Sequence, residues 1–345
     1  MRKLLSTVFL LTVFGLAAFA DAFDFGEIDQ YAKSPVPQTI AQDLPSLVAH
    51  LSSPASNDYE KVRAFYVWIA ENIAYDTQYY FDPSSKDACV SVDCILHQQV
   101  SVCAGFARLF EKMCTAAGIT AYTIEGYSKG MGYFEGNKFT KGDHAWNVVK
   151  VNGKWHLVDV TWGAGTVTSN GGFKAQFNED YFLANPEELV RTHLPLDPIF
   201  QLLDSPVPVK VFEKGDQAII QHIKAKPSRL DFKSALIKHG HTPKIERDFR
   251  SALRAYKFNP DNIYDYAFSC LTYADALSAP LRVKNMKELS YVKVIEKANS
   301  SYKTAVECFS QIDGHIAKHN LVYCTGQIEQ MTYLLDQFRA IASAN

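Results

Sequence analysis

The chain has 345 residues, with 35 Lys+Arg against 37 Asp+Glu, and is 47% hydrophobic, 13% aromatic and 21% charged. That apolar fraction at a net charge of −2 excludes a disordered chain, and the lack of a basic excess argues against a nucleic-acid partner. The length suits two domains, each large enough to bury its own core.

At the N-terminus, Arg2 and Lys3 precede a charge-free stretch, 4–20, that ends Ala18-Phe19-Ala20. A charged head, an apolar run and a small-residue site read as a signal peptide over 1–20, so the expected location is secreted or periplasmic. Residue 21 is Asp rather than Cys and no later segment is long and apolar enough to span a bilayer, so no stable membrane anchor is expected. Export would place seven cysteines in an oxidising compartment. Seven is odd, so at least one is left over. No Cys-x-x-Cys occurs, which argues against structural zinc.

Residues 21–57, rich in Pro, Ser, Asp and Gln, read as an extended N-terminal lead-in. Asn57 or Asp58 then caps a helix in which Val62, Phe65, Tyr66, Ile69 and Ile73 fall at helical spacing through Tyr75. Residues 76–100 read mostly as loop, with Cys89 and Cys94 the expected local disulfide. A second helix is predicted from about Cys103 to Ala117, closed by Gly118, followed by a strand over 119–127.

Residues 144–151 and 154–162 read as two strands joined by Asn152-Gly153, a type I′ hairpin signal. A two-residue turn sets Val151 opposite Lys154, Trp146 opposite Asp159 and His144 opposite Thr161. His144 and Asp159 then share a face as diagonal neighbours, about 7–8 Å apart by backbone, within reach of each other's side chains. A register shift of one would separate them. Residues 163–215 mix Gly, Pro and short apolar runs and are expected to wrap this domain. A linker is expected at 216–230, and helical periodicity continues through 243–257, 261–279, 285–312 and 315–342 as a bundle or hairpin stack. His239-Gly240-His241 reads as a solvated loop rather than a metal site, no calcium-loop pattern is present, and neither metal nor cofactor is expected.

A cysteine nucleophile needs a general base, the base gains from an orienting acid, and a helix N-terminus favours a thiolate. Cys103 opens a helix, and His144 and Asp159 supply base and orienter. Trp146, Trp155 and Trp162 read as core or groove wall.

At these residues the chain resembles the transglutaminase-like superfamily, and within it the kyphoscoliosis-peptidase branch. The matching segments are Asp58-Tyr59-Glu60-Lys61-Val62-Arg63-Ala64 with Trp68-Ile69 and Asn72-Ile73-Ala74-Tyr75-Asp76; Val102-Cys103-Ala104-Gly105-Phe106-Ala107; Asp143-His144-Ala145-Trp146-Asn147; Gly153-Lys154-Trp155; Leu157-Val158-Asp159-Val160-Thr161-Trp162-Gly163-Ala164-Gly165; and Tyr181-Phe182-Leu183. It covers roughly 58–213, and several ordered motifs are more specific than one. The resemblance implies an α+β, papain/transglutaminase-like core over 58–215, here followed by an all-α helical domain over 231–345. It also implies a triad of nucleophile Cys103, base His144 and orienter Asp159. The sequence departs from the family at Ser101, where Gly is usual, and at Phe106, where Tyr is usual. Gln98, Gln99, Trp146 and the Cys103 backbone N–H are candidate substrate or oxyanion contacts.

The function expected is a thiol enzyme acting on amide bonds of peptides or proteins through a thioester, with hydrolysis favoured over transamidation. The helical domain is a candidate surface for a protein partner. The alternative is a secreted binding or scaffold protein that uses the same groove without catalysis.

Overall fold

The computed structural model describes residues 24–84, 86–282 and 290–343. The signal peptide expected over 1–20 lies outside the described residues, as does the start of the helix expected from 285.

Where the composition suggested an extended lead-in, three helices form: α1 (Gly26–Lys33), α2 (Gln38–Ala41) and α3 (Leu44–Ser52). The prolines punctuate rather than prevent helix. Pro45 sits in the first turn of α3, where a missing N–H costs nothing, and Asp43 caps that turn by accepting from the Ser46 N–H at 2.9 Å. The central helix α4 (Asp58–Asn72) starts at Asn57, whose side chain accepts from the Glu60 N–H, while Glu60 accepts from the Asn57 amide at 2.8 Å. Arg63 of α4 is 3% exposed and gives bidentate hydrogen bonds to Asp29 of α1, both 2.7 Å, and to Glu179 at 2.6 and 2.7 Å. Burial opposes its charge, but the two carboxylates keep it cationic. The lead-in is therefore fastened to the domain that follows it.

Residues 76–100, expected mostly as loop, hold α5 (Thr77–Phe81) and α6 (Val92–Gln98) between two short parallel strands, β1 (Ala74–Tyr75) and β2 (Val100–Ser101). The expected Cys89–Cys94 disulfide is present and joins the preceding loop to α6. Helix α7 (Cys103–Ala116) follows, and its Leu109, Phe110, Met113 and Cys114 enter the core shared with α4.

The sheet has the order β5-β4-β3-β8 and is antiparallel throughout, with β3 (Ala121–Ser128), β4 (His144–Val151), β5 (Lys154–Val158) and β8 (His193–Pro195). Asn152 (φ 47°) and Gly153 (φ 78°) form the two-residue turn, and the register runs from Val151↔Lys154 to Asn147↔Val158 as the turn chemistry predicts. The second strand is shorter than expected. It ends at Val158, and Asp159 instead caps a short helix, α8 (Val160–Ala164), accepting from the Trp162 N–H at 3.1 Å. Thr161 therefore lies in a helix and does not oppose His144, whose strand partner is Gly126 of β3.

A small hairpin, β6 (Gly165–Val167) with β7 (Phe173–Ala175), and α9 (Pro186–Leu189) precede β8, and α10 (Val209–Phe212) follows it. The stretch expected as linker contains α11 (Asp216–Ala225). The helical remainder is α12 (Phe232–His241), α13 (Lys244–Phe258), α14 (Ile263–Ser278), α15 (Ser290–Phe309) and α16 (His315–Ser343), close to the predicted periodic segments. His239, expected in a solvated loop, is buried on α12 between Tyr122 and Phe200. Burial and the nearby Arg247 and Arg254 push its pKa down to about 3, so it is held neutral.

Two separate cores result. One gathers α1, α3, α4, α7 and the face of the sheet bearing Val149, Val151 and Val158; the other is built from α14, α15 and α16. Between them, the opposite sheet face packs Ile124, Trp146, Val148 and Leu157 with Leu236 of α12. Buried polar contacts hold the helices to the sheet: the Tyr127 hydroxyl donates to Asn262 at 2.7 Å and accepts from Asn259 at 3.0 Å, while Arg254 gives Asp197 a 2.7 Å ion pair. The architecture is α+β with a helical remainder.

Candidate active site

The site assembles at one end of the sheet because three local decisions put it there. First, β4 begins at His144, so this side chain stands at the sheet's rim. Second, β5 stops one residue before Asp159, which turns into α8 and points its carboxylate back over the strand end. Third, α7 begins at Cys103, with Val102 at its cap offering no side-chain hydrogen bond; the Val102 carbonyl accepts from the Gly105 and Phe106 N–H groups, and no side chain caps the Cys103 N–H.

His144 donates from Nε2 to Asp159 Oδ2 at 2.6 Å, and both are buried, Asp159 completely. With Nε2 on the carboxylate, Nδ1 is the nitrogen left to serve Cys103, which lies close enough to His144 to favour its charged form. Burial alone would neutralise His144, but Asp159 and then Cys103 outweigh it and raise its pKa to about 10. Burial likewise opposes the Asp159 charge, and His144 followed by His193 pulls it well below the usual carboxylate range. The pair is thus an imidazolium on a carboxylate at neutral pH. Cys103 is free and half-buried.

The cleft over this pair has a volume of about 520 Å³. Its walls are aromatic (Tyr75, Tyr80, Phe173, Trp162, Tyr181) with polar positions at Lys129, Asp143, Thr161 and Gln176, and His144 lies in its lining. Burial first of all disfavours ionisation of Tyr75 and Tyr80 of the wall, and both lie near Cys103. Such a cleft suits an extended peptide better than a flat polar face would.

The other predicted contacts fare differently. Trp146 is 1% exposed and cannot touch a substrate; its ring stacks on His144 at 5.6 Å and 22° and supports the imidazole from behind. Gly126 makes room for it, since a Cβ there would collide with the Trp146 ring and the Leu194 carbonyl. Gln98 ends α6 and Gln99 is its left-handed cap (φ 53°) with its carbonyl taken by the Ala74 N–H; both are exposed and neither lines the cleft. Cys103 itself is likewise outside that lining, and its backbone N–H, at a helix start without a side-chain cap, is the other candidate oxyanion donor. Ser101, standing where Gly is usual, is buried and donates to the Cys89 carbonyl at 2.5 Å. The substitution thus ties the helix start to the disulfide loop.

Sequence reasoning missed one residue. His193 of β8 is buried and donates from Nε2 to the same Asp159 Oδ2 at 2.9 Å. A carboxylate only accepts, so that nitrogen carries the proton. His144, Asp159 and His193 form the one trio of metal-ligating type among the described residues, with ligand atoms within 4.8 Å of one another. Both histidines bond the Asp159 carboxylate, at 2.6 and 2.9 Å. The trio is a hydrogen-bond network.

A profile of the transglutaminase-like superfamily matches residues 45–160, a span that contains Cys103, His144 and Asp159. This segment is a transglutaminase-like domain. The chain is 42% identical over 179 residues to kyphoscoliosis peptidase of Mus musculus (51% of this chain, 27% of that protein). It is 40% identical over 197 residues to kyphoscoliosis peptidase of Homo sapiens (56% of this chain, 29% of that protein). The likeness therefore takes in little more than a quarter of those relatives. A solved TGase structure superposes on 42% of the chain and 35% of its own, at 22% identity and a TM-score of 0.28, too loosely to add to the assignment. The transglutaminase-like domain of this chain stands in the kyphoscoliosis-peptidase-like branch.

Proposed function

We propose that this chain is a thiol enzyme that cleaves amide bonds in peptides or proteins, with Cys103 as nucleophile, His144 as base and Asp159 as its orienter. The observation that carries the reading is the 2.6 Å His144–Asp159 contact near a half-buried free cysteine at a helix start, with His144 in the lining of a cleft of about 520 Å³. The Cys103 sulfur, its proton held on His144 Nδ1, attacks the amide carbon, and the Cys103 backbone N–H faces the developing oxyanion. Collapse breaks the C–N bond, and His144 passes its proton to the departing amine. The acyl group is left as a Cys103 thioester. His144 then takes a proton from water as it attacks, the C–S bond breaks, and the proton returns to the Cys103–His144 pair.

An amine in place of water would give transamidation by the same steps. The name of the kyphoscoliosis peptidases favours water, and we take hydrolysis as the reaction. Export fits the Cys89–Cys94 disulfide, and no described helix is long and apolar enough to cross a membrane. The experiment is incubation of the full chain with an unstructured protein substrate and a labelled primary amine, reading new N-termini and amine incorporation in parallel. New N-termini that vanish in Cys103→Ala support the proposal. Amine incorporation alone would replace hydrolysis by transamidation, and neither product from a folded protein would favour a binding protein that uses the same groove.

A further inference from the structure

His193 is the buried titratable group that the steps above leave unused. It sits opposite Ser128 on β3, and His144 sits opposite Gly126 two positions away, so the two histidines project from the same sheet face on either side of β3. Both reach Asp159 Oδ2, from 2.6 and 2.9 Å. The His193 ring is confined by Trp162 at 4.3 Å, Trp146 at 5.2 Å and Tyr181 at 5.9 Å. Its other nitrogen, Nδ1, lies 2.8 Å from the Thr192 hydroxyl, which also reaches the Leu189 carbonyl at 3.3 Å, while Nε2 faces the Asp159 carboxylate, which only accepts. A single tautomer is thereby selected, with the proton on the nitrogen that faces Asp159.

We propose that His193 is a positioning residue of the thiol site, a fixed neutral donor that keeps the fully buried Asp159 ionised and aimed at His144. The inference rests on the thiol-enzyme reading and adds a fourth member to its machinery. A carboxylate removed from water needs several donors to stay charged. Asp159 has three: His144 and His193 on Oδ2 and the Trp162 N–H, at 3.1 Å, on Oδ1. His144 loses its Nδ1 proton, and with it the positive charge beside Asp159, during the reaction; its Nε2–H stays on the carboxylate, and the His193 N–H supports the same oxygen through that change. Burial holds His193 on the neutral side, against the pull of Asp159, which suits a donor that does not compete for the proton being moved. The other groups facing the network are Cys103 from α7, Asp143 beside His144, and the phenols of Tyr66, Tyr75 and Tyr181. The three phenols are kept protonated by burial, so they add no charge.

The test is the rate of Cys103 alkylation by iodoacetamide across pH in the full chain, with thermal unfolding as the check on folding. His193→Phe keeps a ring but no donor. Asp159 then supports the His144 charge less well, and the acidic limb of the Cys103 profile should move up by about one pH unit, with roughly tenfold slower labelling on that limb and little change at pH 8. His193→Gln, which retains an N–H donor, should recover most of the wild-type profile. Thr192→Val removes the hydroxyl that meets His193 Nδ1, loosening the ring's placement, and should shift the limb the same way by less; it decides the matter if His193→Phe does not fold. A merely structural role would slow labelling equally at all pH values and would not distinguish Gln from Phe. Coincident profiles for wild type and His193→Phe, or equal displacement in the Gln and Phe variants, would overturn the inference while leaving Cys103 reactive. A wild-type Cys103 that labels no faster than a buried thiol would instead remove the thiol-enzyme reading itself.

Discussion

Cys103 and the group Cys270, Cys308 and Cys324 are free thiols of one chain in opposite surroundings. Cys103 is half-buried at an uncapped helix start, against an imidazolium whose charge a buried carboxylate sustains. The other three are buried in the core of α14, α15 and α16, among Ala267, Ala274, Ala305 and Phe309. Burial there pushes the Cys270 thiol up to about 12 and Cys324 up to about 11, and raises Cys308 too. Residue type is shared; reactivity is set by whether the surroundings stabilise the charged sulfur or exclude it. The sheet end concentrates polar groups that satisfy one another, and the helical core keeps its thiols neutral as small apolar fillers.

The largest effect expected is on turnover. Cys103→Ala should lower activity by at least roughly 10³-fold, and His144→Ala by nearly as much, whereas Cys270→Ala should leave the rate unchanged. Steady-state assays on the three proteins, each shown folded by circular dichroism, would break the contrast if Cys270→Ala were the inactive one. Asp159→Asn should retain more activity than either site deletion, since it disturbs orientation without removing a reacting group; the loss expected is on the order of 10²-fold.

Stability sharpens the same comparison. Trp146→Ala should cost about 3–5 kcal/mol in denaturant unfolding, because its ring is fully buried and the cavity left behind cannot collapse against a sheet. Trp155 is only half-buried, stacked on Tyr122 at 5.7 Å, so Trp155→Ala should cost less, roughly 1–3 kcal/mol. Equal losses would mean that the floor beneath His144 is no better packed than the hairpin's outer surface.

Much of this was legible locally. Asn152-Gly153 sets the hairpin register, and the register brings His144 and Asp159 to one rim. The expectation of strand through Trp162 overlooked a visible signal: Asp159 is a good N-cap, and in the structure it caps α8. Likewise Asp43 and Pro45 marked a helix start inside a stretch whose composition read as extended. Non-local pairing is another matter. His193 meets Asp159 through β8 pairing on β3, 34 residues along the chain, and no local period announces that strand. Trp146 was legible as core or groove wall but not as one rather than the other: alternation puts it on the His144 face, and the layer from α12 and the bare Gly126 bury it there, away from the substrate contact also expected of it.

The smallest effect is in the pH dependence of stability. His144 has its folded pKa raised above the unfolded value, so its contribution is complete below about 6.5 and is lost as pH rises toward about 10. Asp159 is depressed, so its contribution is present above about 3.8 and is lost as pH falls below that value. Thermal melts from pH 6 to 10 should therefore slope downward in the wild type and less so in His144→Ala. Parallel curves would show that the imidazolium is not sustained in the folded state.

The most direct measurement is a time-resolved alkylation map of the native full chain at pH 6, with each cysteine peptide quantified by mass spectrometry. Cys103 should label first and alone, Cys89 and Cys94 should remain paired, and Cys114, Cys270, Cys308 and Cys324 should label only after unfolding. Native labelling of a helical-core thiol before Cys103, or recovery of Cys103 in a disulfide in most molecules, would contradict the account.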